Sequence, residues 1–99
     1  MPAEAAGVGG PSDVKHYVYI LQSLSDPAQF YTGLCSNVDA RLAAHNAGQS
    51  PHTSKFKPWR LISSHYFVDA KVAAEFERYL KSGSGRAFAT KHLRETASD

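Results

Sequence analysis

The sequence predicts a small α+β domain: a mostly antiparallel three-stranded sheet flanked by helices, in the order β-β-α-β-α-α. Two short aromatic and β-branched segments follow each other early in the chain, which is typical of a hairpin. Two later segments carry apolar residues at helical spacing behind helix-capping residues. The 99 residues are enough for one domain, and 42% hydrophobic with 20% charged residues is the composition of a soluble globular protein.

The two ends of the chain differ from its centre. Residues 1–14 are rich in Ala, Gly and Pro without apolar periodicity, so we predict a disordered tail there, a folded domain over 15–94 and a frayed end at 95–99. No apolar run approaches the roughly 18 residues of a membrane helix. The N-terminus lacks a signal-peptide pattern, and the single Cys35 excludes an internal disulfide. These features predict a cytoplasmic protein with no membrane partner.

The first two strands form the predicted hairpin. Tyr17–Leu21 is too short for a helix and reads as a strand buried on both faces. A loop at 23–29 leads to Phe30–Gly33, the expected antiparallel partner. Because alternate residues of a strand share a face, Tyr19 and Tyr31 are expected on the same side of the sheet.

The first helix follows this hairpin. Ser36–Asp39 matches the capping-box pattern that opens a helix, and Gly48 is a suitable stop. Arg41 and His45 are four residues apart and therefore stack on one helix face. Residues 49–58 are predicted to be a polar loop.

The third strand is predicted over Trp59–Val68. Alternation along it places Trp59, Leu61 and Phe67 on one face, with Ile62 and Tyr66 on the other.

Two helices complete the predicted domain. Asp69 is a good N-cap for a helix through about Lys81, and Ser82–Gly85 is predicted to break it before a final helix from Arg86 to about Arg94. The core stripe of the longer helix is expected to be Val72, Phe76, Tyr79 and Leu80.

The charge is unevenly distributed. The chain has a net charge of +2, yet residues 55–94 hold nine Lys and Arg against three acids, a net of +6. Such a segment suits a polyanionic partner, because neutralising phosphates releases condensed counterions, although a solvated basic face has the same composition. The residues predicted to contact nucleic acid are Lys55, Lys57, Arg60, Arg78, Lys81, Arg86 and Lys91.

An ordered set of residues resembles the GIY-YIG nuclease superfamily. Tyr17-Val18-Tyr19 is followed after eleven residues by Tyr31-Thr32-Gly33, then by Arg41 and Glu77. The resemblance covers roughly residues 15–94 and is greatest to small stand-alone bacterial members, whose Y-T-G-L, R-L-x-x-H-N-A-G, K-P-W-R-L and K-S-G-S-G-R-A-F blocks recur at 31–34, 41–48, 57–61 and 81–88. It implies catalytic roles for Tyr19, Tyr31, Arg41, His45 and Glu77, with Glu77 also binding one Mg²⁺ or Mn²⁺.

Some positions are ambiguous or depart from the family pattern. Helical periodicity does not choose between Glu75 and Glu77, whereas the resemblance selects Glu77. Tyr17 stands where the first triplet often has Gly, and Leu34 where some repair members have lysine. Residues 83–93 contain no asparagine, which many members carry in the final helix.

The resemblance implies a metal-dependent endonuclease that hydrolyses DNA phosphodiesters, in repair or processing. One of the two tyrosines is expected to take a proton from the attacking water, with Arg41 and the metal lowering its pKa. Single strands, flaps, junctions, plain duplex DNA and RNA all stay open as substrates. A monomer or weak dimer is expected, with specificity that a protein partner could supply. Two alternatives stay open: a non-catalytic nucleic-acid-binding module on the same fold, and a small scaffold without a nucleic-acid role.

Overall fold

The computed structural model describes residues 14–94. The predicted N-terminal tail, apart from its last residue, and the predicted frayed end at 95–99 lie outside this range. The chain forms three strands and four helices: β1 (His16–Ser23), β2 (Phe30–Cys35), α1 (Val38–Asn46), α2 (Pro51–Ser54), β3 (Trp59–Phe67), α3 (Ala70–Leu80) and α4 (Gly83–His92).

The sheet has the order β2-β1-β3, and both pairings are antiparallel. The predicted α+β class and three-stranded sheet are therefore confirmed. β1 is the central strand, and its residues Val18–Leu21 are buried, as expected for a strand covered on both faces.

Each face of the sheet has its own apolar core. On one face, Val18 and Ile20 pack with residues of α3 and α4, including Ala73, Leu80 and Ala89. On the other, Tyr19, Leu21 and Trp59 pack with Val38 and Leu42 of α1. Alternation along β1 thus divides the molecule into an α1 side and an α3–α4 side.

The predicted alternation along β3 is wrong beyond Ile62, for both Tyr66 and Phe67: Tyr66, predicted to share the face of Ile62, pairs with Tyr17 on the α1 side. Ile20 pairs with Ser63 while Leu21 pairs with Leu61, so Ile62 is an extra residue that forms a bulge. The bulge shifts the parity of the strand, and Phe67 consequently packs with Ile62 on the α3–α4 side, not with Trp59 on the α1 side.

The first helix is capped by a different residue from the one predicted. The Asn37 side chain, not Ser36, caps α1 and accepts a hydrogen bond from Ala40 N at 3.0 Å. Gly48 lies just beyond the helix with φ of 79°, and its N–H bonds the His45 carbonyl.

The predicted polar loop at 49–58 contains the one-turn helix α2. Pro51 occupies its first turn, the position where a missing N–H costs nothing. The loop therefore folds back against α1 before the chain enters β3.

Helix α3 begins as predicted, but only part of its predicted core stripe faces the core: Leu80 is buried and Phe76 packs against the core, which confirms those two positions. The Asp69 carboxylate accepts hydrogen bonds from Lys71 N and Val72 N, which confirms it as the N-cap. Ala73 and Leu80 are buried, whereas Val72 and Tyr79 are 46% and 42% exposed. The helix is thus rotated about its axis relative to the prediction.

Helix α4 starts at Gly83 rather than Arg86. Ser82 caps it by accepting from Gly85 N, so only a tight turn separates the two helices. A Cβ on Gly85 would lie 1.7 Å from the Tyr79 carbonyl oxygen, so the contact between α3 and α4 requires glycine there. Within residues 14–94 no helix is long and apolar enough to cross a membrane.

Candidate active site

Three rings predicted to be catalytic meet on the α1 side of the sheet. The centroids of Tyr31 and His45 are 4.8 Å apart, and those of Tyr19 and Tyr31 are 6.2 Å apart. The Tyr19 hydroxyl lies 3.1 Å from His45 Nε2. Arg41, one turn before His45 on α1, lies near enough to Tyr19 to lower the pKa of its hydroxyl. The structure therefore brings four of the five predicted residues together.

Gly33 makes room for the Tyr19 ring. It is the cross-strand partner of Tyr19 in the β1–β2 pairing. A Cβ at this position would lie 2.4 Å from the Tyr19 oxygen and 2.6 Å from Cζ, closer than atoms can approach. The ring consequently lies across the glycine, and its hydroxyl points towards the outer edge of β2.

A buried hydrogen-bond chain orients His45. Its Nδ1 lies 2.8 Å from Thr53 Oγ1, and the Thr53 hydroxyl in turn donates to the Ser50 carbonyl at 3.5 Å. The Thr53 carbonyl accepts a 2.9 Å hydrogen bond from Trp59 Nε1. Because the Thr53 hydroxyl donates its proton to Ser50, its oxygen accepts the hydrogen bond from His45. Nδ1 therefore carries the imidazole proton, and Nε2 accepts the hydrogen bond from Tyr19.

The end of α1 is tied to the start of β3 by a second contact. The Asn46 side-chain amide donates to the Trp59 carbonyl at 3.0 Å, and its oxygen accepts from Trp59 N. His45 is only 3% exposed and is therefore held between α1, α2 and β3.

Arg41 alone does not produce the lowered tyrosine pKa that we expect from Arg41 and a metal together. Burial, followed by the neighbouring Tyr31, raises the pKa of Tyr19 to about 12, and this outweighs the lowering effect of Arg41. Burial and Arg41 lower the pKa of His45. Around neutral pH a neutral phenol therefore faces a neutral imidazole.

A pocket of about 170 Å³ opens beside the rings. It is lined by Tyr31, Arg41, Ala44, His45, Gln49 and Ser50. Arg41 also lines an adjoining pocket of about 350 Å³ with residues 34–37 and Ala40. The guanidinium thus stands between two open spaces at the surface of α1, where a bound anion can reach it.

Glu77 occupies a distinct place. It lies on α3, on the opposite face of the sheet, and its carboxylate pairs with Lys81 Nζ at 2.5 Å. Hydrogen bonds and ion pairs among residues 14–94 do not link it to the four clustered residues. α3 packs against β1 and the edge strand β2, and Arg41 shares a pocket with Leu34 and Cys35 of β2.

The structure separates Glu77 from Glu75, which periodicity alone does not. Successive helical residues are about 100° apart, so Glu77 lies about 40° from the buried Ala73 and Glu75 about 200° from it. Glu77 is accordingly only 20% exposed, and Glu75 is exposed. The rotation of the α3 stripe turns Glu77 towards the sheet.

The metal-ligating side chains around Glu77 limit which metal ion it could bind. Residues 14–94 contain no group of three or more His, Cys, Asp and Glu placed to bind an ion. A single carboxylate fits Mg²⁺, which keeps most of its waters and binds proteins through one or two carboxylates together with substrate phosphates. The ion pair with Lys81 would have to open for this.

The predicted basic residues fall into two groups. Lys55 and Lys57 are exposed around α2, where Lys55 lies 5.4 Å from the centre of the Phe56 ring; Arg60 on β3 donates to the Gln22 side chain at 2.9 Å. The second group lies on α3, α4 and the turn between them, and all of its members are exposed: Arg78, Lys81, Arg86 and Lys91.

Sequence reasoning missed Thr53, Gln49 and Ser50. All three lie in the segment predicted to be a plain loop. A Ser-Pro pair at 50–51 is a helix-start signal that predicts α2, but nothing local indicates that Thr53 reaches His45.

Known proteins share sequence similarity with this chain. Residues 15–91 match the GIY-YIG catalytic domain family. A UPF0213 protein from Staphylococcus haemolyticus is 37% identical, over 71% of this chain and 84% of its own length. The structure-specific endonuclease subunit SLX1 from Debaryomyces hansenii is 34% identical over 78% of this chain, which matches 23% of that protein.

A solved structure is also similar. The solution NMR structure of a UPF0213 protein from Bacillus halodurans is 29% identical, covers 78% of this chain and 83% of its own, and superposes with a TM-score of 0.48. The family match spans most of the chain, and the Staphylococcus relative exceeds 30% identity across most of its own length. The chain therefore belongs to the GIY-YIG family.

Proposed function

We propose that this protein is a metal-dependent endonuclease that hydrolyses phosphodiester bonds of DNA, in repair or processing. The observation that carries the proposal is one cluster in a chain of the GIY-YIG family: Tyr31, Arg41 and His45 line an open pocket, and the buried Tyr19 hydroxyl contacts His45. Two phenols, an imidazole and a guanidinium supply proton transfer and charge stabilisation, both of which phosphodiester hydrolysis requires.

Arg41 would bind the scissile phosphate. Its guanidinium lines both pockets, and its planar fork of donors matches two phosphate oxygens. As water adds to phosphorus, negative charge accumulates on those oxygens, and Arg41 would stabilise the transition state more than the ground state.

Tyr19 and His45 would handle the proton of the attacking water. The Tyr19 oxygen accepts that proton while its own proton passes along the 3.1 Å contact to His45 Nε2. His45 then becomes an imidazolium whose Nδ1–H still donates to Thr53. This route needs a neutral imidazole rather than a phenolate, which agrees with the lowered pKa of His45 and the raised pKa of Tyr19.

Tyr31 would position the water and the phosphate. It lines the pocket, and its ring packs on His45 and Tyr19. These contacts fix the ring, so the Tyr31 hydroxyl is held in position to hydrogen-bond a ligand in the pocket.

Glu77 would hold Mg²⁺ or Mn²⁺ at the edge of β2. When bound, the ion would act as a Lewis acid towards the phosphate and the leaving oxygen. To bind the ion, the Glu77 carboxylate would have to break its ion pair with Lys81. Lys81 would therefore lower the metal affinity in the absence of DNA.

Branched or single-stranded DNA is the substrate class that we favour. The SLX1 relatives are called subunits of a structure-specific endonuclease, and this chain matches about a quarter of their length. Recognition would accordingly depend on the shape of the DNA and on a protein partner, with this chain acting as a monomer or weak dimer in the cytoplasm.

A gel assay tests the proposal. Labelled single-stranded, duplex and flap DNA are incubated with the protein in Mg²⁺, Mn²⁺ or EDTA, and Glu77→Ala is compared with Glu75→Ala. We expect metal-dependent cuts that disappear in Glu77→Ala and persist in Glu75→Ala, whose side chain points away from the sheet. Equal cutting by both variants would refute the role of Glu77.

The second candidate is a nucleic-acid-binding module without catalysis. Two observations favour it: residues 83–93 lack asparagine, and Glu77 is engaged by Lys81. Its contact surface would be the basic segment 78–94 together with Lys55–Arg60. In the same assay such a module would shift the DNA in a salt-sensitive manner and yield no products in any metal.

A further inference from the structure

Two arginines share a pocket on the other side of the sheet. Arg86 and Arg94 line an open pocket of about 310 Å³ together with Ala28, Gln29 and Phe30. Among residues 14–94 no carboxylate lines it, and Asp26 on the same loop accepts from Ala28 N at 3.3 Å. In the described part of the chain, two arginines therefore line one space without a neighbouring acid.

Arg94 is fixed in place but incompletely hydrogen-bonded. Its guanidinium carbon lies 3.8 Å from the centre of the Phe30 ring, and its Nη1 donates to Thr90 Oγ1 at 3.1 Å. Its Nε is buried and has no hydrogen-bond partner within the described part of the chain. A buried donor left unpaired is destabilising, so an acceptor that reaches it would be bound favourably.

Arg86 adds charge beside this donor. It is exposed on the first turn of α4, near enough that its charge lowers the pKa of Arg94, after the larger effect of burial. Two like charges held together repel each other, and an anion between them relieves the repulsion. A phosphate group suits such a pair, because its oxygens accept bidentate hydrogen bonds from guanidinium groups.

The pocket lies close to the candidate active site along the chain. Phe30 and Tyr31 are consecutive residues of the edge strand β2, and their side chains point to opposite faces of the sheet. A nucleic-acid strand that passes around the start of β2 would thus meet Arg41 on one face and the arginine pair on the other.

We propose that Arg86 and Arg94, supported by Phe30, form a second phosphate-binding site that holds a backbone phosphate of the nucleic-acid strand away from the cleaved bond. The proposal rests on the proposed function for the identity of the ligand. Its chemistry, two guanidinium groups on a single phosphate, is independent of cleavage.

NMR of the arginine side chains tests the anion site. The ¹⁵N-labelled protein is titrated with inorganic phosphate, and the Arg94 Nε–H signal is followed. We expect a saturable shift that weakens about tenfold in Arg86→Gln, an exposed substitution that leaves the core intact. An unmoved Arg94 signal, or equal affinity in Arg86→Gln, would overturn the site.

A salt series tests the nucleic-acid ligand. Binding of an oligonucleotide without terminal phosphates is measured in EDTA, where no cutting interferes. The slope of log K against log salt should fall by about 0.7 in Arg86→Gln, since a single-stranded phosphate contributes about that amount. In the double variant Arg86→Gln/Arg94→Lys the slope should fall by no more than this, because the two arginines bind the same phosphate.

The control is Lys71→Gln, which removes one exposed positive charge at the start of α3. If the slope of log K against log salt falls equally in Lys71→Gln, the effect of Arg86→Gln is explained by net charge alone and the proposal is overturned. An unchanged slope in Arg86→Gln would also overturn it. Phosphate binding in a protein that never cuts DNA would contradict the proposed nuclease function and leave this site standing.

Discussion

Replacing Gly33 with alanine tests how the cluster is assembled. A Cβ at this position would lie 2.4 Å from the Tyr19 oxygen, 2.6 Å from Cζ and 2.9 Å from Cε1. Because Tyr19 is 1% exposed, its ring has little room to retreat, and its hydrogen bond to His45 would be lost as it moves. Overpacking of this kind costs about 1–3 kcal/mol, and the lost hydrogen bond adds about 1 kcal/mol.

We therefore expect Gly33→Ala to lower the free energy of unfolding by about 2–4 kcal/mol, from these two contributions. If Tyr19 and His45 transfer the proton, cleavage by the folded variant should also fall by about 10²-fold or more. Denaturant unfolding gives the first quantity, and single-turnover cleavage at low temperature gives the second.

Gly83→Ala is the matched control, since a Cβ there meets nothing within 4 Å. It should stay within about 0.5 kcal/mol of the wild type and cut at the same rate. A Gly33→Ala protein that unfolds and cuts like Gly83→Ala would refute the packing of Tyr19 on Gly33.

Three further outcomes follow from the same contacts. Thr53→Val should lower the free energy of unfolding by about 1–3 kcal/mol, because His45 Nδ1 loses its buried hydrogen-bond partner. The imidazole ¹⁵N shifts of His45 should change as well, and shifts identical to wild type would contradict the loss of this hydrogen bond. The cleavage rate should rise with pH through a midpoint below 6.5, since only neutral His45 accepts the proton and its pKa is lowered; a midpoint at or above 6.5 would argue against His45. Gly85→Ala should destabilise the protein far more than Gly83→Ala, since its Cβ would lie 1.7 Å from a carbonyl oxygen, and equal melting temperatures would be inconsistent with that contact.

The sequence predicted the parts of the fold that depend on local pattern. The continuous apolar run Tyr17–Leu21 indicates a strand buried on both faces, and the cap at Asp69 indicates the start of α3, because each signal depends on only a few neighbouring residues. The bulge at Ile62 was missed, since a single extra residue leaves no trace in composition and shifts every later side chain to the other face.

The candidate site was predictable to a similar extent. The spacing of Tyr19 and Tyr31 predicts a shared face, and the structure confirms it. The burial that raises the pKa of Tyr19, and the contact from Thr53 to His45, depend on how α2 folds back on α1. Such contacts between distant segments have no local signature.

Our central claim is that the ring cluster and Glu77 form one active site around the edge of β2. A double-mutant cycle on the single-turnover cleavage rate, with Arg41→Ala and Glu77→Ala, tests it most directly. Residues that act as a unit have strongly non-additive effects, so we expect the double variant to be about as slow as the slower single variant. Rate losses that multiply would show that the two faces of the sheet act independently and would contradict the claim.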